Sequence, residues 1–106
     1  MVPLVADQNP IVELRDDPEA RRFEAIMLDG SVAVKDYRRG RDRIAFTHTE
    51  VPTQYRKQGI AARLTEFALK DSVSRGLSIM PYCPYTAWYI EQHPEYKDHI
   101  LEGFGT

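Results

Sequence analysis

Alternation of apolar and polar residues dominates the first half of the chain and predicts β-strands there. Four segments follow this pattern: residues 11–14, 22–28, 31–37 and 43–51. Asp29-Gly30 lies between the second and third segments and is the strongest hairpin signal in the chain, because a type I′ turn needs positive φ angles and Asp-Gly tolerates them. The pattern therefore predicts that residues 22–28 pair with residues 31–37.

The second half changes to a helical period and then returns to strand. Residues 59–75 carry apolar side chains at helical spacing: Ile60, Ala61, Leu64, Phe67 and Ala68. Gly76 is expected to end this helix. The pattern then predicts a further strand over residues 77–82 and a short C-terminal helix over residues 86–92. Because a helix joins them, strands 43–51 and 77–82 are expected to run parallel. The prediction is an α/β fold with a mostly antiparallel sheet and one parallel strand-helix-strand unit.

Strict alternation along strand 43–51 assigns its side chains to two faces. One face carries Ile44, Phe46, His48 and Glu50, and the other carries Ala45, Thr47, Thr49 and Val51. His48 and Glu50 are therefore expected to be near neighbours.

Length and composition indicate one globular domain. The chain has 106 residues, of which 42% are hydrophobic and 28% charged. We expect a flexible lead-in over residues 1–10 and one domain over residues 11–102. The net charge of -2 makes nucleic acid an unlikely partner, and the arginines around Gly40 are read as a solvated hairpin tip rather than a binding patch.

A single cysteine excludes an internal disulfide, and Cys83 with three scattered histidines forms no zinc pattern. We therefore expect no metal site. A single cysteine also indicates a protein of a reducing compartment. The first ten residues lack the basic and apolar regions of a signal peptide, and no run approaches the ~20 apolar residues that span a bilayer. The expected location is cytoplasmic, with no membrane partner.

A candidate anion site precedes the long helix. Arg56 and Lys57 supply positive charge, while the small residues Gly59 and Ala61 let a ligand approach the backbone. The first amides of a helix have no intrahelical partners, so they could hold a pyrophosphate. The same pattern also fits a plain turn with close packing. Neither a dinucleotide-binding glycine motif nor a P-loop is present.

Arg56-Lys57-Gln58-Gly59-Ile60-Ala61 resembles the R-x-x-G-x-[GA] signature of the GNAT acetyltransferase superfamily. Within it, the chain is similar to the short, single-domain N-acetyltransferases of the YjdJ type over residues 11 to 100. The further matching motifs are Phe23, the Asp29-Gly30 turn, Tyr37, His48-Thr49-Glu50-Val51-Pro52, Pro81-Tyr82-Cys83-Pro84-Tyr85, Tyr89-Ile90 and His93-Pro94-Glu95-Tyr96.

The resemblance implies a GNAT-like fold that binds acetyl-coenzyme A as co-substrate. It implies that strands 43–51 and 77–82 splay apart so that the pantetheine arm lies between them, and that a bulge in strand 43–51 breaks its simple alternation. The residues implied to bind the coenzyme are Val51, Arg56, Lys57, Gln58, Gly59, Ile60 and Ala61.

Four residues are candidates for the chemistry of acetyl transfer. His48 or Glu50 could deprotonate an amine. Cys83 at a strand end could accept the acetyl group before passing it on, orient another group, or form a wall of the coenzyme site. Tyr89 is similar in position to the tyrosine that protonates the departing thiolate in GNAT enzymes. Each residue also fits a structural interpretation: a hydrogen-bonded strand histidine, a solvated carboxylate, a packed cysteine and an aromatic packing cluster.

The segment between the first two strands is too short for the helices that form the acceptor site in full-size GNAT enzymes, so this side is expected to be open. The sequence predicts an N-acetyltransferase acting on an amine, either a small molecule or a protein. A non-catalytic coenzyme A or acyl-coenzyme A binding module, or a partner subunit, is the alternative, and a small interaction domain without the ligand is a third interpretation. The sequence leaves the oligomeric state open.

Overall fold

Five strands form one mixed sheet in the computed structural model, which describes residues 9–105. The strands are β1 (Ile11–Asp17), β2 (Arg22–Met27), β3 (Val32–Arg39), β4 (Arg43–Glu50) and β5 (Ser78–Pro81). They lie in chain order across the sheet; β1 to β4 pair antiparallel, and β5 pairs parallel to β4. The predicted α/β fold with its single parallel unit is confirmed.

Two α-helices follow β4. Helix α1 (Ile60–Ser74) begins after Gly59 and ends before Arg75, within one residue of each predicted limit. Helix α2 (Pro84–Gln92) begins two residues earlier than predicted, because proline fits the first turn of a helix, where its missing N–H has no partner to lose. Among the described residues, no helix is long and apolar enough to cross a membrane.

The core lies between the two helices and one face of the sheet, which we call the inner face. Its largest fully buried apolar side chains come from every layer: Phe23, Met27, Ile44, Phe46, Ile60, Leu64, Leu69, Ile79 and Ile90. The opposite, outer face carries Glu24, which is only 2% exposed because Arg15 and Arg22 cover its two carboxylate oxygens at 2.8 and 2.7 Å. The helices therefore cover one face of the sheet.

The β2–β3 hairpin is present, but its predicted type I′ turn is wrong. The N–H of Gly30 donates to the carbonyl of Met27 at 2.9 Å, and the N–H of Met27 donates to that of Ser31 at 2.8 Å. Gly30 has a φ of 89°, whereas Asp29 has no positive φ. This is a three-residue loop that ends in a left-handed glycine, so only one residue needs positive φ.

A bulge at Thr47 overturns the predicted faces of β4. Tyr37 pairs with Phe46 and Asp36 pairs with His48, so Thr47 has no partner of its own on β3. Cross-strand partners share a face, and the extra residue lets both Phe46 and Thr49 point inward although they are three positions apart. His48 therefore lies on the outer face rather than beside Phe46.

Glu50 follows His48 to the outer face, because it pairs with Val34, whereas Thr49 pairs with the inward-facing Lys35. The prediction that His48 and Glu50 are neighbours is correct. The prediction that they share a face with Ile44 and Phe46 is wrong. Regular alternation assumes that every residue of the strand has a partner, and the unpaired Thr47 reverses the faces of the residues that follow it.

Strands β4 and β5 separate after a short ladder. Their last pair is Phe46 with Pro81, and the N–H of Cys83 donates to the carbonyl of Phe46 at 2.8 Å. Proline cannot donate to a ladder, which favours an end to pairing at this point. Strand β4 continues to Glu50 along an edge that β5 does not cover.

Both ends of the described range, residues 9–105, contact the rest of the domain. Residues 1–8 of the predicted lead-in lie outside this range, whereas Pro10 is buried and its carbonyl accepts from the N–H of Leu28 at 2.9 Å. Near the other end, the ring of Phe104 meets that of Tyr82 edge-on at 5.0 Å. The domain limits 11–102 stay a prediction.

Candidate functional site

A cleft of about 650 Å³ opens where β4 and β5 separate. Residues from β4, the following turn and both helices line it: His48, Thr49, Glu50, Val51, Tyr55, Arg56, Lys57, Gly59, Ile60, Ala61, Ala62 and Tyr85. The sheet thus brings the carboxyl end of β4 against the amino terminus of α1, which is where ligands collect in α/β sheets.

The amino terminus of α1 presents unsatisfied backbone donors to the cleft. Gly59 is the N-cap residue with a φ of 79°, and no side chain caps the helix there. The N–H groups of Ile60 and Ala61 belong to the first turn, so they have no intrahelical acceptor. Partial positive charge from the helix dipole adds to them, so this end of α1 suits an anion.

Six of the seven predicted coenzyme residues border the cleft, and Gln58 does not. The side chain of Gln58 is turned away and donates to the carbonyl of Gln54 at 3.2 Å. Arg56 is exposed, and its Nε donates to the carbonyl of Val51 at 3.3 Å, which ties the turn to the end of β4. Lys57 is exposed and has a φ of 65°, a left-handed conformation that is uncommon for lysine. Their role in coenzyme binding stays a prediction.

His48 and Glu50 form a solvent-facing pair at the outer side of the cleft. His48 Nε2 lies 3.1 Å from Glu50 Oε1, and the two side chains are 56% and 63% exposed. A carboxylate beside an imidazole can orient the ring. Because the pair faces solvent, its imidazole can accept a proton from a group that approaches from the outer face.

Cys83 lies on the inner side, away from that pair. It is the N-cap residue of α2 and is 4% exposed. Its Sγ lies 3.4 Å from Thr49 Oγ1. Burial alone would raise the pKa of the thiol, but hydrogen bonds from Thr49 and Thr86 and the positive charge of Lys35 outweigh it and lower that pKa to about 7. Such a thiol is substantially ionised at neutral pH and is nucleophilic.

Lys35 is a fully buried lysine in the floor of this region, with a relative exposure of 0%. Its Nζ donates to Thr49 Oγ1 at 2.9 Å and to Thr86 Oγ1 at 2.5 Å. Burial lowers the pKa of Lys35 to about 8, and the negative charge of Cys83 opposes that shift.

Tyr89 does not border the cleft. It is 5% exposed, its ring stacks on His93 at 3.9 Å between centroids, and burial, with a smaller effect of Glu66, raises its pKa to about 12. Tyr85, one turn earlier in α2, does border the cleft, and burial raises its pKa as well. The role given to Tyr89 stays a prediction, and Tyr85 is the tyrosine nearer to the open space.

Sequence reasoning assigned no functional role to several of these residues: Lys35, Thr49, Tyr55, Ala62, Tyr85 and Thr86. Lys35 and Thr49 are missed because a polar residue in an alternating strand is read as solvent-facing. The signal that could have revealed Lys35 is its place in the alternation of residues 31–37, since its neighbours on the same face, Ala33 and Tyr37, are buried. Within residues 9–105, no group of three or more His, Cys, Asp or Glu side chains could hold a metal ion.

Comparison with known proteins shows to which family the chain belongs. Residues 22–99 match the family model described as GCN5-related N-acetyl-transferase. Protein NATD1 of Gallus gallus is 30% identical over 100 residues, which cover 89% of this chain and 89% of that protein. Protein NATD1 of Homo sapiens is 33% identical over 98 residues, covering 88% and 85% respectively. The narrower likeness to the YjdJ type stays a prediction. The chain belongs to the GCN5-related N-acetyltransferase family.

Proposed function

We propose that this protein binds acetyl-coenzyme A in the cleft and transfers the acetyl group to an amine by way of Cys83. The observation that carries the proposal is the separation of β4 from β5 directly beside the uncapped amino terminus of α1. The separation of the strands leaves an unpaired edge of β4 for the amide-containing pantetheine arm. The amino terminus of α1 offers backbone donors to a pyrophosphate.

The coenzyme would be held mainly by backbone groups. The first amides of α1, from Gly59 to Ala61, would donate to the pyrophosphate, and Arg56 and Lys57 would add positive charge. The β4 edge up to Val51 would pair with the amides of the pantetheine arm as an added strand does. This assignment needs small residues near the helix start, and Gly59 and Ala61 meet that need.

Cys83 would carry the acetyl group between the two substrates. Its thiolate would attack the thioester carbonyl, forming a new carbon–sulfur bond and releasing coenzyme A as a thiolate, which takes a proton from solvent or a nearby acid. A neutral amine would then attack the acetylated Cys83, displace its sulfur as the thiolate, and pass its proton through water in the cleft to the His48–Glu50 pair, which borders that cleft. The products are the N-acetylated amine, free coenzyme A and the regenerated thiolate.

The acceptor is expected to reach the site from the outer face of the sheet. No helix covers this face within the described residues, and the exposed His48 and Glu50 lie on it. A bulky amine, such as a lysine side chain on a protein, has room to approach there. A small amine has the same access, so a primary amine is the class of acceptor that we propose.

A substitution at Gly59 tests the coenzyme site, with Gly76 as its matched control. Both glycines have left-handed φ angles, 79° and 73°, and in each case an added Cβ meets no atom within 4 Å. Valine therefore imposes similar backbone strain at both, of about 1–2 kcal/mol. Only Gly59 borders the cleft. Titration calorimetry with acetyl-coenzyme A should show at least about tenfold weaker binding for Gly59→Val, a loss of about 1.4 kcal/mol, and unchanged binding for Gly76→Val.

Equal affinity in the two variants, or no binding of acetyl-coenzyme A to the unaltered protein, would overturn this assignment. The family fold would then serve as an interaction domain without the ligand.

A coenzyme-binding module without catalysis is the second candidate, and the burial of Cys83 favours it. The thiol is 4% exposed and does not border the cleft, so an acetyl group must displace neighbouring atoms to reach it. Both candidates predict the same result at Gly59. Only the enzyme predicts that acetyl-coenzyme A without an acceptor releases one equivalent of free coenzyme A as Cys83 becomes acetylated.

A further inference from the structure

The ammonium group of Lys35 is enclosed by a specific set of neighbours. Besides the two threonine hydroxyls, its Nζ lies 5.3 Å from the ring centroid of Phe46 and 5.9 Å from that of Tyr85. Aromatic faces attract a cation, most strongly where water is excluded. These neighbours therefore favour the charged form of a side chain whose complete burial disfavours it.

A buried cation also needs an opposite charge. Among residues 9–105, no carboxylate forms an ion pair with Lys35. The titratable group whose charge acts on Lys35 is Cys83. An unpaired charge in the interior is strongly destabilising, whereas a paired and hydrogen-bonded one is tolerated. The Cys83 thiolate is thus the available counter-charge for the Lys35 ammonium.

Hydrogen bonding by Lys35 determines which atoms of the two threonines act as acceptors. An ammonium group has donors only, so Lys35 must use oxygen lone pairs of Thr49 and Thr86. Each hydroxyl keeps its own hydrogen free to donate elsewhere. Thr49 Oγ1 lies 3.4 Å from Cys83 Sγ, and hydrogen bonds from both threonines lower the pKa of the thiol. The threonines therefore connect the cation to the sulfur, and each hydroxyl can donate to the ionised sulfur while it accepts from Lys35.

We propose that Lys35 is a positioning residue for Cys83: acting through Thr49 and Thr86, it holds the sulfur as a thiolate and orients its hydrogen-bond donors. The other titratable groups nearby do not supply this charge. Tyr85 packs against Lys35 from α2, but burial raises its pKa and it stays neutral. His48 and Glu50 of β4 lie on the outer face of the sheet.

Acetylation would disturb this pair, and this consequence rests on the proposed function. Once Cys83 carries an acetyl group its sulfur has no charge, and the Lys35 ammonium loses its counter-charge in a buried site. Attack by an amine restores the thiolate and the ion pair. The network therefore favours passing the acetyl group onward rather than storing it.

Titration of the thiol in Lys35→Met tests the proposal without any coenzyme. Methionine has a similar length and no charge, and Cys83 is the only cysteine in the chain. The readout is the ultraviolet absorbance of the thiolate as pH varies, taken as the difference between each protein and its Cys83→Ser counterpart, so that tyrosine ionisation cancels. This readout does not require a reagent to reach the buried sulfur.

In the unaltered protein the thiol is expected to titrate with a pKa of about 7, and in Lys35→Met at a higher pKa, because the positive charge is gone and only the hydrogen bonds from Thr49 and Thr86 still oppose burial. A rise of one pKa unit would lower the thiolate fraction at neutral pH by about fivefold. Lys70→Met is the matched control: Lys70 pairs with Glu66 on the exposed side of α1, and its loss should leave the thiol pKa unchanged.

A folded Lys35→Met protein with an unchanged thiol pKa would overturn the proposal. Thr49→Val provides a second test should Lys35→Met fail to fold, because valine keeps the shape of threonine and removes the hydroxyl that contacts the sulfur at 3.4 Å. It should raise the thiol pKa in the same direction, and no rise would also overturn the proposal. Because the titration uses no acetyl-coenzyme A, its outcome is independent of whether the cleft binds that molecule.

Discussion

The two faces of β4 past the bulge carry two different kinds of chemical group. On the inner face, Thr49 contacts Lys35 and Cys83, and both of these side chains are buried. On the outer face, His48 and Glu50 form a pair that is more than half exposed. One unpaired residue, Thr47, determines which of these side chains lies on which face.

The difference between the faces lies in what controls protonation. A buried group exchanges water for fixed neighbours, so hydrogen bonds and one nearby charge can move its pKa by about two units or more. An exposed group remains hydrated, and a surface ion pair adds little. The inner face thus suits a nucleophile that must be ionised in advance, and the outer face suits a base that meets incoming acceptors from solvent.

The largest effect is expected from removing the inner nucleophile. Cys83→Ser and Cys83→Ala should lower the single-turnover release of coenzyme A from acetyl-coenzyme A by at least about 10³-fold, because a serine hydroxyl is not ionised at neutral pH. Rapid mixing with a thiol-specific dye measures the release. Binding of acetyl-coenzyme A by calorimetry should remain within about threefold. Undiminished release of coenzyme A by either variant would mean that Cys83 is not the nucleophile, and would contradict the role given to the inner face.

A smaller effect is expected on the outer face, and at a different step. His48→Gln or Glu50→Gln should slow the attack of excess ethanolamine on acetylated Cys83 by about 10²-fold, the usual contribution of a general base. Formation of the acetylated protein should be unaffected, and stability should change by less than about 1 kcal/mol because the pair is exposed. His99→Gln, at an exposed histidine that does not line the cleft, is the control. Slower acetylation instead of slower deacetylation would contradict the assignment.

The smallest effect is a pH dependence of stability that only the inner face should produce. The folded-state pKa values of Cys83 and Lys35, about 7 and about 8, lie below the ordinary values of 9.0 and 10.5. Between these limits the unfolded chain holds protons that the folded chain has released, so stability rises with pH from about 7 to about 10.

Urea unfolding at a series of pH values measures this slope, which for each group is at most about 1.4 kcal/mol per pH unit. Subtracting the Lys35→Met curve removes contributions from other groups, and the difference should rise with pH across that window. A flat difference would mean that Lys35 is not held below its ordinary pKa. His48→Gln should leave the slope unchanged.

Much of the fold could be predicted from sequence because its determinants are local. The period of residues 59–75 and the turn residues between strands are read without knowing the tertiary structure, and α1 and the parallel unit lie where expected. The turn type at Asp29-Gly30 was wrong because the same dipeptide fits a two-residue type I′ loop, in which both residues adopt positive φ, and a three-residue loop, in which only the glycine does.

The site could be predicted only where it is continuous in sequence. Arg56 to Ala61 form one segment, and five of these six residues border the cleft. The connection of Lys35 to Thr86 crosses 51 positions, and the faces of β4 depend on one unpaired residue, so neither follows from local pattern. Lysine is rarely buried, and reading Lys35 as a surface residue follows that tendency.

The most direct test of the central claim is to identify what acetyl-coenzyme A modifies when no acceptor is present. Rapid acid quenching followed by peptide mass spectrometry would locate the acetyl group, and brief treatment with neutral hydroxylamine would distinguish a thioester from an amide. We predict one acetyl group per chain, on Cys83 and labile to hydroxylamine. Release of coenzyme A to an added amine with no acetylated Cys83 at any time would show direct transfer, and would contradict the inner face as the place where the acetyl group is held.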